Sequence, residues 1–163
     1  MATAPLAFDR SICDLAIGDL ERVTAIDRSL TGRGRRRFFE TRFAAARERP
    51  EGFIHIGVMR GGTLRGFACA RILSGEFGRP QAIAVLDVVG VEPQSQRIGV
   101  GQELMAELVR RACERGVASL QSQAAWTNGS LLKFFEMADF RLAARSALER
   151  SVAEPLEEVL EDV

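Results

Sequence analysis

A single α+β (mixed α/β) domain, with a mostly antiparallel sheet flanked by helices, is the fold class predicted for this 163-residue chain. Three observations carry that expectation. Apolar residues make up 47% of the sequence, enough at this length for one core and too little chain for two. Strand-like segments follow one another through glycine-bearing turns over residues 53–91, as in an antiparallel meander. An amphipathic helical pattern then opens directly from a glycine-containing turn at residues 96–101. Residues 1–153 are expected to form the domain and residues 154–163 an acidic tail.

Taken in order, residues 6–13 supply a first short strand, and Asp19 is a helix N-cap before Leu20, Val23, Ile26 and Leu30 at helical spacing. Thr31 and Gly32 end that helix. Phe38, Phe39, Arg42, Phe43 and Ala46 define a second helix, stopped before Pro50. Residues 53–59, 64–73 and 82–91 are the meander strands, with glycines 61 and 62 in the first turn and glycines 75 and 78 in the second. The central helix places Leu104, Met105, Leu108, Val109 and Ala112 inward and ends on Gly116 behind three arginines. A strand at 119–125, a short helix at 128–137 and one or two strands within 140–144 and 147–152 complete the expectation of six to seven strands and about four helices.

The 22 basic and 22 acidic residues cancel, so no global charge argues for nucleic acid or a membrane surface. Cys13, Cys69 and Cys113 have no metal-ligand or disulfide spacing and fit small buried hydrophobes in a reducing compartment. No metal is expected. With no targeting pattern and no apolar run near the ~18 residues that span a bilayer, a cytoplasmic location is the expectation.

The turn before the central helix is the candidate site. A helix starting there presents unpaired N–H groups and the positive end of its dipole, which suits a phosphate-bearing ligand. A P-loop requires Lys and Ser or Thr after its last glycine, whereas Gln102 and Glu103 follow Gly101. A dinucleotide fingerprint requires a third glycine where Leu104 stands. What remains is Gln96-Arg97-Ile98-Gly99-Val100-Gly101, with Gln102 continuing into the helix. Gly99 and Gly101 leave room for a pyrophosphate, the amides of residues 98–102 can point at it, and Arg97 can add a charge-assisted contact.

This pattern is similar to the coenzyme A pyrophosphate motif of the GCN5-related N-acetyltransferase (GNAT) superfamily. The resemblance extends over most of the chain, through the order of elements and through Asn128, Phe134, Phe135 and Phe140 in and after the short helix. It implies a pair of splayed strands, with pantetheine pairing to backbone at Val89 and Val91 beside Gly90, and with the Val89 amide as oxyanion donor. Simple packing is the other reading of Gly90. The implied co-substrate is acetyl-CoA, and the implied reaction is acetyl transfer to a primary amine by direct attack on the thioester. The amine acceptor is unidentified.

Asp87 is the acid within the 82–91 strand, and alternation sets it on the same face as Val89 and Val91. It is a candidate base or, equally, a structural partner for an arginine such as Arg71. Members of the family commonly carry Tyr as general acid where Phe135 stands, and this chain has no Tyr. Some carry Glu where Gln123 stands. The thiolate is then expected to leave unassisted or to take its proton from water; His55 and Cys113 are not expected to be catalytic. These absences keep a second reading open, a coenzyme A-binding sensor or partner protein. The Arg33, Arg35, Arg36, Arg37 cluster is either an attractor for an acidic acceptor or the coenzyme A 3′-phosphate, or a solvated helix start. Trp126 packs beside the acceptor or covers the core, and the acidic tail ends in solvent or caps a homodimer interface.

Overall fold

The structure, a computed structural model, describes residues 10–152. Residues 6–9 of the expected first strand and the acidic tail lie outside the described residues. The elements are β1 (Arg10–Asp14), α1 (Leu20–Thr31), α2 (Arg36–Glu48), β2 (Phe53–Arg60), β3 (Thr63–Leu73), β4 (Ile83–Val91), α3 (Val100–Glu114), β5 (Ser119–Ser122) and α4 (Gly129–Met137). They form one sheet in the order β1-β2-β3-β4-β5. Every neighbouring pair is antiparallel except β4 and β5, which run parallel with α3 as the crossover between them.

Local chemistry explains the boundaries. Gly32 ends α1 in the left-handed region (φ 73°), its N–H returning to the Arg28 carbonyl. Glycines 61 and 62 both have positive φ, the twist that closes a tight hairpin between β2 and β3. Alternation along the strands builds two cores. Ile54, Ile56, Val58, Ala68, Ala70, Ala84 and Leu86 pack under Leu104, Leu108 and Phe135 of α3 and α4. On the opposite face Phe67 and Cys69 pack under Val23, Ile26, Phe39 and Phe43 of α1 and α2.

The described residues hold five strands rather than six to seven. Residues 140–152 form none, and Leu142, Leu148 and Val152 are almost fully exposed. A strand needs a partner to pair with, and β5 offers only four residues of edge; Arg145 meets it through a side-chain bond to Gln121 (3.3 Å). Two positions expected inside α3 are outside. Val109 is 52% exposed and Cys113 is exposed, because the buried stripe runs through Val100, Leu104, Met105, Leu108 and Ala112 and both residues fall a step around the helix from it.

Candidate functional site

The site begins with a wedge in the sheet. β5 pairs with β4 only from Ile83 to Leu86, and the Ser122 hydroxyl closes the pairing by donating to the Leu86 carbonyl (3.0 Å). Beyond that point β4 continues to Val91 with β3 alone. The Glu92 N–H donates to the Arg65 carbonyl (2.9 Å), and Gly66 faces Val91 in the register. That makes Gly66–Val91 and Ala68–Val89 the non-hydrogen-bonded pairs of the ladder. The N–H and C=O of Val89 and Val91 therefore point away from β3, into the gap that β5 leaves. Gln96 Nε2 donates to the Val91 carbonyl (3.1 Å) and ties the following loop to the strand end.

The loop is anchored from beneath by Glu92, 6% exposed, which accepts from Arg65 (2.6 Å), Ser95 (2.8 Å) and Arg22. Burial pushes this carboxyl up, and the bonds from Arg65, Ser95 and Arg22 outweigh it and hold the group below its ordinary value. Arg97 (φ 61°) and Gly99 (φ 92°) both adopt left-handed backbone, curling the chain just before α3. The amides of residues 97–102 have no hydrogen-bond acceptor among the described residues; the first bond of the helix runs from the Glu103 N–H to the Gly99 carbonyl (3.0 Å). Glu103 itself is paired to Arg60, so its charge is neutralised beside the helix start. The two motif glycines answer to different needs. At Gly99 a side chain would meet only Glu103, at 3.9 Å, and the backbone conformation is what demands glycine. At Gly101 a Cβ would lie 2.8 Å from the Phe134 ring, so that glycine lets α4 close on α3.

α4 starts at Asn128, whose side-chain oxygen accepts from the Leu131 N–H (3.2 Å) and the Ser130 hydroxyl (3.1 Å). Phe134 lies over Gly101, while Phe135 is buried with its ring 4.8 Å from that of Phe140. Between α3 and α4 runs a groove of about 280 Å³ lined by Gln102, Met105, Val109, Phe134 and Met137. Trp126, in the loop before α4, is 87% exposed and does not cover the core.

Asp87 does not share the face of Val89 and Val91. The β3–β4 register shifts between Cys69 and Ala70, leaving Asp87 as an extra residue between Leu86 and Val88. This bulge breaks the alternation. Val89 and Val91 pack toward α3, whereas Asp87 faces α2 and accepts a two-bond fork from Arg71 (2.8 and 2.8 Å), with Arg42 Nε 3.2 Å away. Val88 packs on the α1 and α2 side as well. Gly90 backs onto Phe67, where a Cβ would lie 2.8 Å from the ring, so packing accounts for that glycine. His55, 7% exposed, stacks with Phe43 and Phe53 with both ring nitrogens unbonded. Burial, reinforced by Arg42, lowers its pKa to about 4.

The arginine cluster divides. Arg35 donates to buried Asp27 (2.5 to 3.2 Å) and lies over Phe38, and Arg36 pairs with Glu40 (2.8 Å) and Glu21. The side chains of Arg33 and Arg37 have no partner among the described residues and are exposed. Sequence reasoning singled out the donor loop but missed that Arg42 joins Arg71 at Asp87. Its signal, an Arg one helical turn from Phe38 and Phe39, looks like any amphipathic helix.

Residues 20–140 match the model of the acetyltransferase (GNAT) family, and the chain belongs to that family. It is an acyltransferase, with acetyl-CoA as its co-substrate. Similar solved structures include the aminoglycoside N-acetyltransferase AAC(6')-Iy in complex with CoA, 19% identical over 92% of this chain and 99% of that one (TM-score 0.74). A transcriptional regulator from Bacillus halodurans is 19% identical over 87% and 99% (TM-score 0.72). An aminoglycoside acetyltransferase from an uncultured soil metagenomic sample, in complex with sisomicin, is 15% identical over 91% and 97% (TM-score 0.69). At these identities the likeness is one of fold. No curated protein matches the chain. Among the described residues no helix is long and apolar enough to cross a membrane, and no group of three or more His, Cys, Asp or Glu side chains is placed to hold a metal.

Proposed function

We propose that the chain transfers the acetyl group of acetyl-CoA to a primary amine by direct attack on the thioester. The observation that carries this reading is a pair of unpaired backbone donor sets on the same side of the sheet, separated by the bonded turn of residues 92–96. They are Val89 and Val91 in the wedge and the amides of residues 97–102 at the start of α3. Acetyl-CoA supplies the acyl carbon and a thiolate leaving group. The amides of Ile98, Gly99, Val100, Gly101 and Gln102, with the α3 dipole behind them and Arg97 beside them, hold the pyrophosphate. Gln96 keeps that loop in register with β4, and Gly90 lets the strand sit tightly on Phe67. The Val89 N–H donates to the oxyanion that develops as the new C–N bond forms and the C–S bond breaks. The amine gives up a proton, which reaches the departing thiolate through water. Phe134 and Asn128 shape the α4 side of the coenzyme site, and Phe135 presents a ring without a proton to give. Asp87 serves the other face, holding Arg71 and Arg42 in place. Two of the solved neighbours carry aminoglycoside names, and an amine-rich acceptor agrees with an amine nucleophile.

A second reading, a coenzyme A-binding sensor, is favoured by one observation. The chain carries Phe135 and Gln123 where the resemblance implies a proton donor and a base. Free-thiol release from acetyl-CoA, measured over a panel of amines beside a thermal-shift titration of coenzyme A, separates the two. Acceptor-dependent thiol release is expected, with stabilisation of about 2.7 kcal/mol at a hundredfold excess of ligand over its Kd. Stabilisation without thiol release makes the protein a sensor.

A further inference from the structure

The bulge at Asp87 divides the wedge between two faces of the sheet. The face toward α3 and α4 carries the loop amides and the Phe134 contact and is committed to the coenzyme. A second reactant must therefore reach the Val89 amide from the opposite face, where Val85, Asp87 and Val88 of β4 and Gln121 of β5 keep partial exposure. That face is cationic. Arg71 spends Nε and Nη2 on Asp87, leaving Nη1 without a partner among the described residues. Arg42 approaches Asp87 only through Nε, in a geometry that pairs charge without completing a hydrogen bond, and both of its Nη atoms are without an acceptor. Its guanidinium lies 5.2 Å from the Phe38 ring centre, which fixes the plane of the fork. Arg145 closes the far side on Gln121. Beneath them His55 contributes two further buried nitrogens with nothing to bond.

Two guanidinium groups share one carboxylate within ion-pair distance here, with Glu76 acting on Arg71 only at longer range, so open donors on both arginines remain unspent. From this arrangement we infer that the acceptor is a small amine that also carries a carboxylate, anchored by Arg42 and Arg71 beside Asp87. The inference rests on the acetyl-transfer reading and narrows its acceptor. A planar fork matches a carboxylate in two parallel bonds. Along the strand, Asp87 and Val89 are at most about 7 Å apart, the bulge shortening the regular rise, so carboxylate and amine are a few carbons apart in the favoured acceptor. Polycations meet Arg42 and Arg71 as like charges and are disfavoured.

The test uses the full chain with matched acceptors. β-Alanine and propylamine share an amine and a three-carbon chain and differ by the carboxylate; spermidine and sisomicin supply polycations. In the thiol-release assay kcat/KM for β-alanine is expected to exceed that for propylamine at least about tenfold. Arg42→Lys keeps the charge, removes the fork and is expected to bring that ratio close to one through KM. Arg42→Lys is the primary variant because Arg71→Gln also removes the main partner of Asp87 and is open to misfolding. A second readout needs no turnover: glutarate, which has no amine, is expected to stabilise the coenzyme A-loaded protein and to lose that effect in Arg42→Lys. A glutarate shift without thiol release from any amine keeps the anion site and removes the acetyl-transfer reading. Equal or greater kcat/KM for propylamine or the polycations, or no glutarate shift, overturns the inference whether or not acetyl transfer stands.

Discussion

His55 stacks between Phe43 and Phe53 with neither nitrogen bonded, so a proton placed on it in the fold gains no partner and loses water. Its pKa is lowered to about 4, by burial first and by Arg42 second. In the unfolded chain it returns to about 6.5. Between those values the unfolded state binds more protons, so stability is complete above pH 6.5 and falls as the pH is lowered toward 4. The loss at the bottom of that window is about 3 kcal/mol. His55→Phe keeps the ring stacking, removes the unbonded nitrogens and is expected to flatten the dependence of thermal stability on pH between 6.5 and 4. An unchanged acid slope in the variant assigns the effect elsewhere. Alternation along β2 gives the face that His55 occupies, but the lack of a partner depends on Phe43, twelve positions earlier in the chain, arriving from α2.

α3 and α4 meet through an absence, the missing side chain of Gly101 under the Phe134 ring. Gly101→Val is expected to push the helices apart, at a cost of about 1–3 kcal/mol for overpacking, and to weaken coenzyme A binding because the Gln102 and Phe134 groove opens. Gly99→Ala has space for its methyl group; its cost of about 1–2 kcal/mol comes from the left-handed backbone. Denaturant unfolding with and without coenzyme A distinguishes them: both variants lose stability, and Phe134→Leu added to Gly101→Val recovers part of the first loss, while added to Gly99→Ala it recovers none of the second. Recovery in neither case removes the ring contact as the reason for Gly101. The motif glycines were legible as a helix start on a phosphate site, because a short local pattern encodes that. Their separate duties were not, since Phe134 is thirty-three positions away.

At the scale of the molecule the elements themselves were largely written in the sequence: the meander, α3 and its glycine stop, and the Asn128 cap rest on local periodicity and turn chemistry. The strands foreseen after Phe140 were not found because pairing is a property of neighbours, and the short β5 edge is no template for them. The bulge was equally hidden. Strict alternation put Asp87 beside Val89 and Val91, and one unpaired residue reversed it. The two reactant faces this creates share no side chain, so their variants are expected to act independently: Gly101→Val with Arg42→Lys should show effects on coenzyme affinity and acceptor KM that add within about 0.5 kcal/mol. A larger coupling energy means the faces communicate through the sheet.

That extra residue in β4 is a charge inserted into the strand without disturbing its neighbours. Deleting it would leave Leu86 opposite Ala70 and Val88 opposite Cys69 in an unbroken ladder, every other side chain on its present face, and would take from the acceptor's surroundings the carboxylate that holds Arg42 and Arg71. A change of one codon could therefore redraw which substrate meets a charge, with every helix and loop left in place.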